Sequence, residues 1–390
     1  MAWLVDRPIV CPALIGRAPY LAAIEAQLAA ARDGRGETVV VAGEAGVGKS
    51  RLAAEARVRA AARAMRVLTG RCFEPDRVLP YAPLRDLARA AAGQPGEAIL
   101  GDAAQLAPEL VHLAADASRV RRESSPAAAL DSAQERRRLV EAWAQFVSGL
   151  AAGGPTLVVV EDAHWADDAS LDVLLAVARD LAARPLLLVL TYRSDEVSPS
   201  LRHLLAELDR GRLASEIRLP PLALPEVDAM LRAIFDQPQP IRADFLRAIY
   251  ELTDGNPFFI EEVIRALVAT GDIFRAGGRW ERRALAQLRI PRSVEDAVLR
   301  HSRHLSPDAT MVVRLAAVAG RFFDFAVLAA LTGLDEAALL RCVRELIDAQ
   351  LVVEDSAERF AFRHALTRQA IYAGLLARER RALHRAIADT

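Results

Sequence analysis

The sequence predicts an α/β fold: a parallel sheet with helices on both faces, continued by smaller domains rich in helix. Two observations carry this. Short β-branched or wholly apolar runs, Thr38 to Ala42, Thr156 to Val160 and Leu186 to Thr191, alternate with stretches of helical period, and strands apolar on both faces belong in sheets covered on both sides. After Pro220-Pro221 the strand signal nearly vanishes. Length agrees, since 390 residues, at about 100 to 200 per domain, make two or three domains with a core in each.

Taken in order, Ala18 to Arg32 places Pro19 at a helix start, with Leu21, Ile24 and Leu28 at helical spacing and Gly34 after them. Thr38 to Ala42 is a strand entering a glycine-rich turn, Lys49 to Ala64 a helix, and Arg66 to Gly70 another short strand. Ala114 to Ala129 has no clear period and reads as a mobile surface loop. Ser132 with Glu135 forms a capping-box pattern, and Leu139, Trp143, Phe146 and Leu150 follow on one helical face. Leu171, Leu174, Leu175, Ala178 and Leu181 mark a helix between the two wholly apolar strands.

Beyond the proline pair, residues of about 225 to 270 read as helices and Gly277-Gly278 as a turn. Three helices then follow, Asp308 to Ala319, Phe323 to Leu331 and Asp335 to Gln350, with short strands at Leu351 to Glu354 and Arg359 to Phe362, which is the winged-helix pattern. A last helical segment, Ala373 to Asp389, has no stop signal and suggests part of a longer architecture. The expected domains are 12–220, a helical lid at 221–290, a winged helix at 291–372 and the start of a helical segment at 373–390.

Composition excludes several classes. With 50 basic and 51 acidic residues the net charge is -1, so the chain is not a globally basic nucleic-acid binder, and 53% hydrophobic residues argue against disorder. Cys11, Cys72 and Cys342 lie far apart without metal-ligand spacing, which points to a reducing compartment. Met1 to Gly16 does not resemble a secretory signal, and the longest uncharged window, Ala142 to Val160, is split by Gly153-Gly154-Pro155. The expectation is a soluble cytoplasmic protein that does not engage a membrane. Lys49 is the only lysine and Asn256 the only asparagine. Both sit in motifs.

Gly43-Glu44-Ala45-Gly46-Val47-Gly48-Lys49-Ser50 matches GxxxxGK[ST] between an apolar strand and a helix. Glycines let successive backbone N–H groups turn toward phosphate oxygens, Lys49 reaches the β and γ phosphates, Ser50 offers a hydroxyl to Mg²⁺, and Arg51 follows in the same first helical turn. The pattern predicts an ATP or ADP site. Such a site needs carboxylates at a neighbouring strand end, and Glu161-Asp162 directly follows Thr156 to Val160. One of the two should hold Mg²⁺ and the other should orient or deprotonate the attacking water; position favours Glu161 at the metal, whereas common chemistry favours Asp there. Arg193 ends the second apolar strand and is the candidate for sensing the γ phosphate. Ala163-His164-Trp165-Ala166-Asp167-Asp168 reads as a helix-capping turn with Trp165 packing, or alternatively as a place where His164 has a direct chemical role.

Together, Ile15-Gly16-Arg17, the phosphate loop, LVVVEDAHWAD (157–167), LVLTYRSDE (188–196), LTDGNPFFIEEV (252–263) and FAFRHALTRQAIY (360–372) resemble the signal-transduction STAND ATPases. More narrowly they resemble the nucleotide-switch core of bacterial LuxR-type large ATP-binding transcriptional regulators, a core also found with some nucleotide cyclases. The resemblance implies a nucleotide-binding domain, a helical lid and a winged helix folded over ADP. It implies that Ile15 and Arg17 approach adenine, that Pro257 packs on the base, and that His364 reads the β phosphate. Ala18-Pro19 stands where the family usually has an acidic residue after Gly-Arg. By their own sequence context Pro257 reads as a first helical residue and His364 as an ordinary hydrogen-bonded histidine.

The resemblance further implies slow hydrolysis, self-association in the ATP state, and DNA binding only through a C-terminal domain that this chain lacks. The helix Asp335 to Gln350 carries four acids against two arginines and so reads as structural rather than as a DNA reader. The rival expectations are a continuously cycling AAA-type ATPase acting on a macromolecule and a free-standing DNA-binding module.

Overall fold

The computed structural model describes residues 10–74, 77, 79–92, 132–276, 279–282, 305–349, 351–356, 358–362 and 365–389. The loop expected at Ala114 to Ala129 lies outside them. The chain divides into two compact units, one of Arg17–Pro220 and one of Pro221–Thr390 together with the segment up to Gly16.

The first unit is built on a five-stranded parallel sheet of β1 (Glu37–Gly43), β2 (Arg66–Arg71), β3 (Thr156–Glu161), β4 (Leu186–Arg193) and β5 (Ala214–Arg218), in the order β2-β3-β4-β1-β5. Every residue of β3 is buried, and all of β4 but its last. Successive side chains of a strand face opposite ways, so both faces must be covered. On one face Val40, Leu68, Val158, Val160, Leu188 and Leu190 pack with Trp143, Phe146, Leu174 and Leu204. These come from α4 (Ser132–Gly149), α5 (Asp168–Arg179) and α6 (Pro199–Arg210), with α3 (Ala82–Ala92) beside β2. Alternate residues Val39, Val41, Leu157, Val159, Leu187 and Val189 are buried on the other face, where α1 (Ala18–Arg32) and α2 (Lys49–Ala62) lie.

The sheet holds one strand the sequence did not announce. In β5 only Ile217 is buried, so this edge strand shows no apolar run.

The second unit opens with three helices, α7 (Leu224–Phe235), α8 (Ala243–Thr253) and α9 (Pro257–Ala269), as the helical periods predict. Their core joins Val227, Leu231, Phe245, Ile249, Ile260 and Val263. Asn256 caps α9 by accepting a hydrogen bond from the Phe258 N–H at 3.1 Å, which makes Pro257 the first helical residue. The lid is not purely helical: β6 (Ile273–Ala276) and β7 (Arg279–Arg282) form an antiparallel pair flanking residues 277 and 278.

From residue 305 the order is α10 (Pro307–Ala319), β8 (Phe322–Asp324), α11 (Phe325–Thr332), α12 (Glu336–Asp348), β9 (Val352–Ser356) and β10 (Arg359–Phe362), with sheet order β8-β10-β9. The expected helix start at Phe323 is thus a strand that pairs with β10 before the chain turns helical. The last helical stretch is two helices, α13 (Ala365–Gly374) and α14 (Ala377–Asp389), rather than one from Ala373. Among the described residues no helix is long and apolar enough to cross a membrane.

Gly70, inside β2, faces α3 so closely that an added Cβ would stand 2.4 Å from the Pro83 carbonyl oxygen. Backbone cannot swing aside as a flexible side chain can. Gly70→Ala is expected to destabilise the chain by about 1–3 kcal/mol, read as a lower denaturant midpoint with an unchanged slope.

Candidate functional site

The glycine-rich segment runs from the end of β1 into α2. Gly46 and Gly48 have φ of 79° and 105°, backbone that a side chain rarely tolerates, and this curl carries the chain into the first turn of α2. Glu44 and Ala45 are half-buried, Gly46 is exposed and Val47 is buried; Ser50 and Arg51 sit in the first turn of α2, Ser50 exposed. Lys49 is buried at 6% exposure, and its Nζ donates to the carbonyls of Gly43 and Glu44, each at 2.8 Å. The ammonium therefore sits within the loop, at the N-terminal end of a helix that favours negative charge.

Strand order decides what meets it. Because β4 lies between β1 and β3, Arg193 stands opposite Gly43, and the Ser194 N–H donates to the Gly43 carbonyl at 3.3 Å. On the other side of β4, Asp162 donates its N–H to Thr191 Oγ1 at 3.0 Å. Asp162 has φ of 59°, an uncommon value for a residue with a side chain, at the turn that ends β3.

The electrostatics agree with this placement. Burial lowers the Lys49 pKa to about 8, with the nearby Arg193 charge adding to the effect and Asp195, Asp162 and Glu196 opposing it. Burial raises the Asp162 pKa, while Arg193 and Lys49 pull it back down. These three groups feel one another. A carboxylate held above its ordinary pKa beside a cationic phosphate site is suited to accepting a proton.

Glu161 is the neighbour of Asp162 in sequence but not in surroundings. It is buried and its Oε1 lies 2.5 Å from Nη1 of Arg57, on α2, and 3.9 Å from Nε of Arg71, at the end of β2. Its carboxylate ties strands to helix, whereas the Asp162 carboxylate shares the field of Lys49 and Arg193. Nothing marked Arg57 in the sequence, where it is one arginine among 49.

The residues 163–165 form a single tight turn, and Asp167 caps α5 by accepting from the Ser170 N–H at 3.0 Å. The same carboxylate accepts from the Tyr81 N–H at 3.1 Å, pinning the segment after β2 to this turn. The capping reading of this loop is therefore correct, yet the turn also carries functional neighbours. Trp165 lies under the Arg193 guanidinium at 4.7 Å, and Arg193 is ion-paired with Glu196. Glu196 stood in a motif but had no role assigned to it.

Arg17 is buried at 2% exposure and its Nη2 donates to the carbonyls of Val47, in the loop, and Pro220, the last residue of the unit, at 3.2 and 2.6 Å. Ile15 packs with the apolar core of the second unit. Pro257 heads α9, and His364 lies outside the described residues.

The donor set suits Mg²⁺ at one edge. The Ser50 hydroxyl and the Asp162 carboxylate are hard oxygen ligands, and Mg²⁺ ordinarily completes its shell with water and phosphate oxygens. Among the described residues there is no cluster of three or more His, Cys, Asp or Glu side chains that would bind a metal without such help.

Comparison with known proteins gives the same picture. Residues 13–189 match the AAA ATPase domain family. An uncharacterized protein of Rhizobium meliloti (strain 1021) is 29% identical in an alignment covering 90% of this chain and 34% of that protein, so the chain spans about a third of its relative. Among solved structures, the Aeropyrum pernix ORC2 protein in its ADPNP–ADP complexes superposes with a TM-score of 0.52 at 15% identity, covering 99% of this chain and 97% of that one. That similarity shows the fold, a P-loop NTPase sheet with helices around it. A STAND protein with a tetratricopeptide repeat sensor from Pyrococcus horikoshii matches at a TM-score of 0.38 and 14% identity, over 97% of this chain and 45% of that one.

The depressed Lys49 pKa carries a stability consequence. Between pH 8 and 10.5 the unfolded chain holds a proton at this position that the nucleotide-free folded chain has released, so stability from this group rises with pH across that window and is lowest below it. Lys49→Met is therefore expected to be more stable than the parent at pH 7 by up to about 3 kcal/mol, a gap that closes toward pH 10.5. Urea unfolding of both proteins at pH 7, 8.5 and 10 measures it; a gap that widens with pH would refute the assignment.

Proposed function

We propose that this AAA-type P-loop ATPase domain and the unit that follows it work as a nucleotide switch that hydrolyses ATP slowly, in the manner of the STAND ATPases its motifs resemble. The observation that carries the reading is the meeting of Lys49, Asp162 and Arg193 at the C-terminal end of β1, β3 and β4, the edge where parallel α/β sheets take their ligands.

In this reading the backbone N–H groups from Glu44 to Ser50 and the Lys49 ammonium hold the β and γ phosphates, with Arg51 close by. The ammonium exchanges the Gly43 and Glu44 carbonyls for phosphate oxygens, which are better partners for a buried cation. Ser50 and Asp162 supply protein oxygens to Mg²⁺, which when bound neutralises phosphate charge. We assign Asp162 to orient and deprotonate the attacking water, and Glu161 to hold β3 against α2 through Arg57. Arg193 leaves Glu196 for the γ phosphate and so distinguishes ATP from ADP. Such a distinction is required of any switch, because a ligand shifts an equilibrium only by its differential affinity for the two states.

The roles that the family resemblance implies for Ile15, Arg17, Pro257 and His364 belong to this proposal, as do self-association with ATP and a part in transcription. α12 buries Leu339, Cys342, Val343 and Leu346 and has acids in excess on the remainder, which supports a structural use of the last sheet and helices over DNA reading.

Calorimetry and turnover test the reading together. Lys49→Ala is expected to lower ATP and ADP affinity by about a hundredfold or more, the scale of a lost buried charge partner. Asp162→Asn should keep nucleotide affinity and lose turnover by about 10² to 10⁴-fold. Arg193→Ala should narrow the difference between ATP and ADP affinity, and His364→Ala should speed ADP release. Unchanged ATP affinity in Lys49→Ala would refute the phosphate site, and parent turnover well above about 1 per second would favour a cycling machine over a switch.

A further inference from the structure

His164 is distinctive among the described residues, because both of its ring nitrogens are buried without a hydrogen-bond partner. Leaving such groups unpaired costs about 1–3 kcal/mol each, a cost that asks for an explanation. The ring lies between two carboxylates: Nδ1 is 4.0 Å from Asp162 Oδ1, and Nε2 is 3.8 Å from Glu196 Oε2. Both gaps exceed a hydrogen bond by about 1 Å, a closure that sites commonly complete only when substrate is bound. The two carboxylates are not equivalent. Asp162 faces Lys49, and Glu196 holds Arg193, which itself rests on Trp165, whose ring centroid is 4.5 Å from that of His164.

Burial, with Arg193, Lys49 and Arg77 nearby, takes the His164 pKa down to about 3, so the ring is neutral and carries a single N–H. One donor between two carboxylates is an exclusive choice. While Arg193 neutralises Glu196, the ring proton is available to Asp162.

We propose that His164 is a positioning residue that couples the sensing arginine to the carboxylate facing the attacking water: its N–H serves Asp162 from Nδ1 while Arg193 holds Glu196, and serves Glu196 from Nε2 once Arg193 turns to the γ phosphate. This rests on the ATPase reading above. The exchange removes one proton from Nδ1 and places one on Nε2, leaving the charge of the ring unchanged. Asp162, having lost its donor, becomes the stronger proton acceptor at the moment the γ phosphate is in place. Turnover is thereby tied to detection of ATP.

Three variants separate the two nitrogens. His164→Asn keeps a donor near the Nδ1 position, toward Asp162; His164→Gln keeps one near Nε2, toward Glu196; His164→Ala keeps neither. ATP and ADP affinities are expected to stay within about threefold of the parent in all three, while kcat falls by about 10- to 100-fold in the Ala and Asn variants and stays within about threefold in Gln. In the nucleotide-free protein, imidazole ¹⁵N signals assigned by their loss in His164→Ala should report the Nδ1–H tautomer. Parent-like kcat in the Ala variant, equal kcat in Asn and Gln, or an Nε2–H tautomer without nucleotide overturns the relay. Loss of ATP affinity in all three overturns it too, by showing that the ring serves packing. A parent chain that binds no ATP removes the ATPase reading and the relay with it, whereas a parent that binds and hydrolyses ATP beside an equally fast His164→Ala removes the relay alone.

Discussion

A buried ammonium group is the constraint on which the rest of the first unit depends. Lys49 is taken out of water at the end of a parallel sheet, where burial and a neighbouring guanidinium both oppose its charge. Loop carbonyls hold it in the nucleotide-free chain, and the glycine-rich curl exists to bring those carbonyls, and the N–H groups beside them, around one point. Stability given up at this position is what makes an anionic ligand favourable there, since a phosphate reverses the same electrostatic penalty.

The insertion of β4 between β1 and β3 then arranges everything else. It places Arg193 between the loop and Asp162, and carries Glu196 and Thr191 with it. Charges of alternating sign, Lys49, Asp162, Arg193 and Glu196, share one end of the sheet, with His164 and Trp165 packed behind them. Such a cluster holds its geometry only as long as each charge has its opposite nearby. Removal of one changes the preferences of the others, which is the physical basis on which a phosphate can be felt beyond the atoms it touches.

The second unit has a different economy. Its two cores, one around Ile249 and Val263 and the other around Val313 and Leu346, contain little buried charge. Asp254, just before the Asn256 cap, pairs with Arg321 at 2.7 Å, joining the end of α8 to the start of β8. The sole asparagine in the chain thus has a local reason for its place, as the side-chain acceptor that starts α9 at Pro257.

What the sequence determined by itself is whatever short-range chemistry decides. The phosphate loop was legible because its glycines, lysine and serine act through their own backbone over eight residues. β3 and β4 were legible because strands buried on both faces must be apolar throughout, and α9 because a cap and a proline announce it. The tertiary structure alone decided what depends on neighbours distant in the chain. β5 and β8 are short edge strands with few buried residues, recognisable only by what they pair with. Glu161 and Asp162 are adjacent and alike in charge, so no local pattern could separate them; the order of strands did, by setting Arg57 and Arg71 against one and Lys49 and Arg193 against the other. The burial of His164 between two carboxylates has the same origin, because sequence specifies which groups exist and only packing specifies which of them share a space without water.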